Sequence, residues 1–119
     1  MPFQIVTLDR PGGKVKRDTE VYVVTDNAFL KNLTVSQTVL HPGQSTKGHS
    51  HDGLDEVYIF ISGQGWIELD GEKMRISAGD MVLISGGTFH RVFQGIDIPN
   101  KDLIFTCIFQ QYTREEDLT

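Results

Sequence analysis

The stretch Gly43-Gln44-Ser45-Thr46-Lys47-Gly48-His49-Ser50-His51-Asp52-Gly53-Leu54-Asp55-Glu56 (residues 43–56) places two histidines two apart and a glutamate five beyond the second. On a strand, residues two apart face the same side, so both imidazoles converge on one point. The loop Asp52-Gly53-Leu54 then lets the next strand carry Glu56 back to it. Asp55 competes by spacing, but it faces away if Glu56 faces in. Tyr58 and Phe60 share the face of Glu56 and are expected inside, with Val57, Ile59 and Ile61 opposite. Both sets are apolar, so the ligands rather than the alternation choose the inner face.

A second unit lies downstream. In Gly79-Asp80-Met81-Val82-Leu83-Ile84-Ser85-Gly86-Gly87-Thr88-Phe89-His90, a turn-bounded strand and a Gly-rich loop lead to a fourth candidate ligand. Gly86 and Gly87 suit a tight reversal that swings His90 toward the first pair. Imidazole and carboxylate together suit one divalent transition ion per chain, Fe, Mn, Ni, Cu or Zn, and leave positions open for water or substrate. The predicted ligands are His49, His51, Glu56 and His90.

Around these units, apolar runs of about four to eight residues recur between Gly, Pro, Asp and Asn, an all-β pattern. Strands are predicted near Val21–Thr25, Leu33–Leu40, Gly48–His51, Asp55–Ser62, Gly65–Leu69, Glu72–Ile76, Met81–Ile84, His90–Gln94 and Leu103–Gln111. Asp70-Gly71 between two of them suits a two-residue hairpin turn, so its flanks should pair antiparallel. The only helical signal is a turn over Thr113 to Leu118, with Thr113 and Glu116 at capping-box spacing. Many short antiparallel strands with such turns imply a sandwich, barrel or jelly roll.

Length and composition narrow the function. With 119 residues, one domain is expected over 1–119: an N-terminal arm (1–30), a barrel core (about 31–111) and a C-terminal tail (112–119). The formal charge of -5 and the lack of a Lys/Arg run argue against nucleic acid as a partner. Neither a signal peptide nor a membrane-length apolar run is visible, so the expectation is a cytoplasmic protein with no membrane partner. Cys107 is the single cysteine, which excludes an internal disulfide, and its setting in LIFTCIFQ reads as a buried core thiol.

The two histidine units resemble the motifs of the cupin superfamily, G-x5-H-x-H-x(3,4)-E-x6-G and G-x5-P-x-G-x2-H-x3-N. Gly43, His49, His51, Glu56 and Gly63 match the first throughout; Gly79, Gly87 and His90 match the second. Ser85 stands where Pro is usual and Gln94 where Asn is usual, and neither departure touches a ligand. The resemblance spans roughly Leu33 to Gln110, and the fifteen residues from Gln64 to Ala78 resemble the short intermotif spacing of small microbial cupins. It implies a double-stranded β-helix (jelly-roll) antiparallel β-barrel and a homodimer. Candidate dimer contacts are the N-terminal strands, Trp66 and Leu103–Phe109.

The superfamily does not fix the reaction. The leading reading is a metal-dependent enzyme on a small polar metabolite, similar to sugar or sugar-phosphate isomerases. With Glu56 engaged as a ligand, Tyr58 and Gln94 are the candidate catalytic groups; Gln37, Phe60 and Lys47 are the candidate substrate-lining residues. Lys73, Arg75 and Arg91 are expected to face outward, leaving few cations for a phosphate. An Fe(II)-dependent dioxygenase and a non-catalytic small-molecule binding or sensing module are the alternatives. His41, before Pro42, reads as a loop or surface histidine.

Overall fold

The computed structural model describes residues 5–8, 13–28, 30, 32–94 and 101–110. Among these are nine strands and no helix: β1 (Gly13–Asp18), β2 (Tyr22–Asn27), β3 (Leu33–Leu40), β4 (Glu56–Ser62), β5 (Gln64–Leu69), β6 (Glu72–Ser77), β7 (Met81–Ile84), β8 (His90–Gln94) and β9 (Leu103–Gln110). The helical turn expected over 113–118 and the strand end at Gln111 lie outside the described residues.

The strands form a six-stranded sheet in the order β1-β2-β3-β9-β4-β7 and a three-stranded sheet in the order β6-β5-β8. All pairings are antiparallel, and the architecture is an all-β jelly roll. Asp70-Gly71 makes the expected hairpin: Leu69 pairs with Glu72 across it. Both turn residues have positive φ, 49° and 89°, a conformation that Asp tolerates and Gly adopts without steric cost.

The two sheets bury their facing sides against each other. Leu40, Phe60, Ile67, Val92, Leu103 and Phe105 are each at most 2% exposed and form the centre of the core. As expected, Tyr58 and Phe60 lie inside with Glu56, while Ile61 on the opposite face is 52% exposed. Along β3 the inner face changes character. Leu40 sits in the core, but Thr34, Ser36 and Thr38 are the buried residues before it. Apolar packing therefore closes one end of the barrel, and hydroxyl-bearing side chains line the other.

Two strand expectations change. Gly48–His51 is not a strand; residues 44–51 make only isolated bridges, Ser45 to Phe93 and His49 to His90. Two histidines, an exposed serine and a glycine with φ of 87° offer no apolar alternation to build a ladder on. Conversely, β1 (GKVKRD) forms a strand that its polar composition hid. The hairpin to β2 turns at Thr19, whose Oγ1 accepts hydrogen bonds from the N–H groups of Val21 (3.1 Å) and Tyr22 (3.3 Å). Both strands lie within the expected N-terminal arm, where they extend the large sheet.

Candidate metal centre

His49 and His90 form a reciprocal backbone pair, His49 N–H to the His90 carbonyl at 3.0 Å and His90 N–H to the His49 carbonyl at 2.9 Å. This bridge brings the two motifs together. The Gly-rich loop adds a second tie, Gly87 N–H to the His51 carbonyl at 2.8 Å. At Gly86 a Cβ would stand 2.8 Å from the Leu54 nitrogen and 3.0 Å from the Gly53 backbone, so only glycine lets the two loops approach this closely. Asp55 faces away from the site, as expected, and its Oδ1 accepts from Gly86 N–H at 3.0 Å. A turn closed by Thr88 N–H to the Ser85 carbonyl (3.1 Å) occupies the place of the usual proline.

The result is a cluster. Donor atoms of His49, His51, Glu56 and His90 all lie within 4.8 Å of one another. His51 Nε2 stands 3.0 Å from Glu56 Oε1, and His90 Nε2 stands 3.6 Å from Glu56 Oε2. His90 Nδ1 is 3.0 Å from the Thr88 carbonyl, which can only accept, so that nitrogen carries the proton. In the neutral ring Nε2 therefore carries the lone pair, and this atom is buried without a hydrogen-bond partner among the described residues. An orphaned buried imidazole nitrogen facing a carboxylate and two further imidazoles fits a metal ligand whose other nitrogen is fixed by a backbone carbonyl. The chemistry of these four donors suits a divalent transition ion, whose identity they leave open.

Burial, with His90 and His51 beside it, lowers the pKa of His49 below the usual imidazole value. Burial alone would raise Glu56, but His90, His51 and His49 around it hold the carboxyl below its usual value. Burial opposes charge on His90, yet Glu56 and the Thr88 carbonyl outweigh it and raise that imidazole. At 3.6 Å the His90–Glu56 contact is one of charge rather than a hydrogen bond.

The cluster opens on a cavity of about 580 Å³ lined by residues that include Ser36, Thr38, Tyr58, Asp26 and the four candidate ligands. Tyr58 lies on this wall, its ring 5.4 Å from that of His90. Burial pushes its hydroxyl well above the usual phenol range, so it stays protonated. Lys47 also lines the cavity.

Three expectations need correction. Gln37 lies on the outer face of β3, opposite Thr25 and Thr106, while its neighbours Ser36 and Thr38 face the cavity. Phe60 is 1% exposed within the apolar core and does not reach the cavity wall. Gln94 is buried, but its amide is engaged elsewhere: Oε1 accepts from Gly43 N–H at 2.6 Å, and Nε2 donates to the Lys101 carbonyl at 2.9 Å. It pins two loops, which is no position for a catalytic group. His41 is half-buried, with Nδ1 3.1 Å from Asp102 Oδ1. Trp66 faces outward beneath Arg75 and Lys73, 5.2 and 5.6 Å from its ring.

Sequence reasoning missed Asp26. It lies on the inner face of β2, lines the cavity, and has a buried Oδ1 with no hydrogen-bond partner among the described residues. The sequence YVVTDN held a signal, since Val24 and Asp26 share a face, but the direction of that face depends on the pairing of Asp26 with Ser36.

An antiparallel jelly roll with three imidazoles and one carboxylate converging in its open end defines a class of β-barrel able to hold a metal ion inside. The chain belongs to the cupin domain family, whose profile its residues 36–97 match. The oxalate-binding protein of Thermotoga maritima is 32% identical over 97 residues, which cover 82% of this chain and 78% of that protein. The glucose-6-phosphate isomerase of Pyrococcus furiosus is 31% identical over 103 residues, 76% of this chain but 53% of the enzyme, so the chain spans about half of that relative. Among solved structures, KdgF from Halomonas sp. superposes with a TM-score of 0.70 at 21% identity, covering 89% of this chain and 91% of the other. That likeness is one of fold.

Proposed function

We propose that the protein is a metal-dependent enzyme that moves a proton within a small polar metabolite, in the manner of a sugar or sugar-phosphate isomerase. The observation that carries this reading is the orphaned Nε2 of His90 inside a four-residue donor cluster, at a cavity walled by hydroxyl groups and one carboxylate. His49, His51, Glu56 and His90 would hold the ion. When bound, a divalent ion supplies Lewis-acid polarisation of a carbonyl or hydroxyl oxygen, which acidifies the adjacent C–H.

The chain's own residues then divide the work. Asp26 offers a buried, unpartnered carboxylate oxygen in the same cavity, so it is the group to accept the C–H proton and return it to the neighbouring carbon. Tyr58, kept protonated by burial, can donate a hydrogen bond to a substrate oxygen but is a poor base. Ser36 and Thr38 supply hydroxyl contacts for a polyol or sugar backbone. Similarity to a glucose-6-phosphate isomerase supports the reaction class.

Elemental analysis of anaerobically purified protein should find about one transition ion per chain, lost in His49→Ala and His90→Ala. Incubating the loaded protein with hexoses and hexose phosphates in D2O should place deuterium on carbon, and Asp26→Asn should stop this while retaining the ion. Metal-free preparations throughout would sink the proposal. The likeness to an oxalate-binding protein favours a second reading, binding without turnover; ligands that bind and return unchanged, without deuterium, would establish it. Substrate-stimulated oxygen uptake by an iron-loaded protein would instead identify the dioxygenase alternative.

A further inference from the structure

Adjacent strand residues normally point to opposite faces of a sheet, yet Lys16 and Arg17 both line the cavity. The cause is a break in the β1–β2 register. Val15 pairs with Thr25 and Arg17 with Val24, which leaves Lys16 as the extra residue of a β-bulge. A bulge re-aims side chains, and here it turns two consecutive cations toward one space. A third, Lys47, reaches the same cavity from the loop before His49. That loop is held by Thr46, whose N–H donates to the Val92 carbonyl at 2.9 Å and whose carbonyl accepts from Arg91 Nε at 2.7 Å.

Three cations from two distant segments thus converge on one cavity in a chain of net charge -5. Among the described residues, no carboxylate forms an ion pair with Lys16, Arg17 or Lys47. The outward cations behave differently: Lys73 and Arg75 stack over Trp66, and Arg91 over Phe93 at 4.7 Å. The expectation that few cations would serve an anion is therefore overturned by the bulge, which alternation along a regular strand could not reveal.

We infer that the cavity selects small organic anions, with Lys16, Arg17 and Lys47 receiving a carboxylate or phosphate group while the hydroxyl- or carbonyl-bearing part of the ligand faces the His/Glu cluster. Converging lysine and arginine donors bind such oxyanions by charge-assisted hydrogen bonds, and a neutral polyol of the same length forgoes them. The inference rests on the proposed metal site only for the ligand's other end.

The test is calorimetric titration of the metal-loaded protein with gluconate, glucose 6-phosphate and the neutral polyol glucitol. Either anion should bind at least about tenfold more tightly than glucitol, with binding weakened by added salt. The stronger of the two tells carboxylate from phosphate. Lys16→Gln/Arg17→Gln and, separately, Lys47→Gln should each lose about tenfold or more for that anion, with glucitol unchanged and metal content intact. Glucitol binding as well as the anions, variants binding as the parent does, or no anion binding at millimolar concentration would overturn the inference. Anion preference retained in protein that never holds metal would count against the metal reading alone.

Discussion

Gln94 stands on the same inner face of β8 as His90 and Val92, yet its amide bridges Gly43 and Lys101 rather than facing the cavity. Gln94→Ala should therefore remove two hydrogen bonds that tie these loops to the barrel and cost about 1–3 kcal/mol. The expected result is a lower Tm with metal stoichiometry unchanged; a variant that keeps its Tm but loses turnover would restore the catalytic role. His90 behaves in the opposite way. Its imidazole is raised by Glu56 and Thr88 after burial has opposed it, so protons and metal compete for Nε2. Affinity for the ion should rise as pH increases through and above the ordinary imidazole range, where that proton is lost, and a Kd independent of pH there would contradict direct ligation. Cys107 is 6% exposed, and burial pushes its thiol far above the usual range. It should react with a thiol reagent at pH 8 only after unfolding.

At the scale of elements, the site is a meeting of loops rather than a face of one strand. The first histidines sit on a segment without ladder pairing, and their positions depend on the bridge to His90 and the passage of Gly86 beneath residues 53 and 54. Gly86→Ala should cost about 1–3 kcal/mol through overpacking against backbone. It should also weaken metal binding, because the same loop carries His90; a stable variant with unchanged metal affinity would show that the loops tolerate separation. The hairpin at Asp70-Gly71 is different, being set by its own turn and by Asp70 Oδ1 accepting from Phe89 N–H at 2.8 Å.

Across the whole molecule, the large sheet carries an apolar outer face. Leu83, Met81 and Ile61 are 71%, 60% and 52% exposed, beside Val57 and Ile59 on the same face. Apolar strand faces and open edges of this kind favour association, and we propose that this face joins two copies in the homodimer expected from the resemblance. Sedimentation at micromolar concentration should give a dimer, and Met81→Asp/Leu83→Asp a monomer that still holds metal; a monomeric parent would remove the idea. No helix among the described residues is long and apolar enough to cross a membrane.

How much was legible depends on the range of the interactions involved. The sequence by itself determined the all-β class and the Asp70-Gly71 hairpin, because turn chemistry and alternation act over a few residues; the inward side of β4, apolar on both faces, followed only from taking Glu56 as a ligand. The sequence also marked the four candidate ligands, since their residue types recur at spacings matching a known motif. Only the tertiary structure decided that Ser36 and Thr38, not Gln37, face the cavity, because β3 has apolar residues on one side and hydroxyls on the other. Its inner side follows from pairing with β9, more than sixty residues away. Asp26 and the cations Lys16 and Arg17 were hidden for the same reason: their direction comes from cross-strand register and a bulge, which no local pattern encodes.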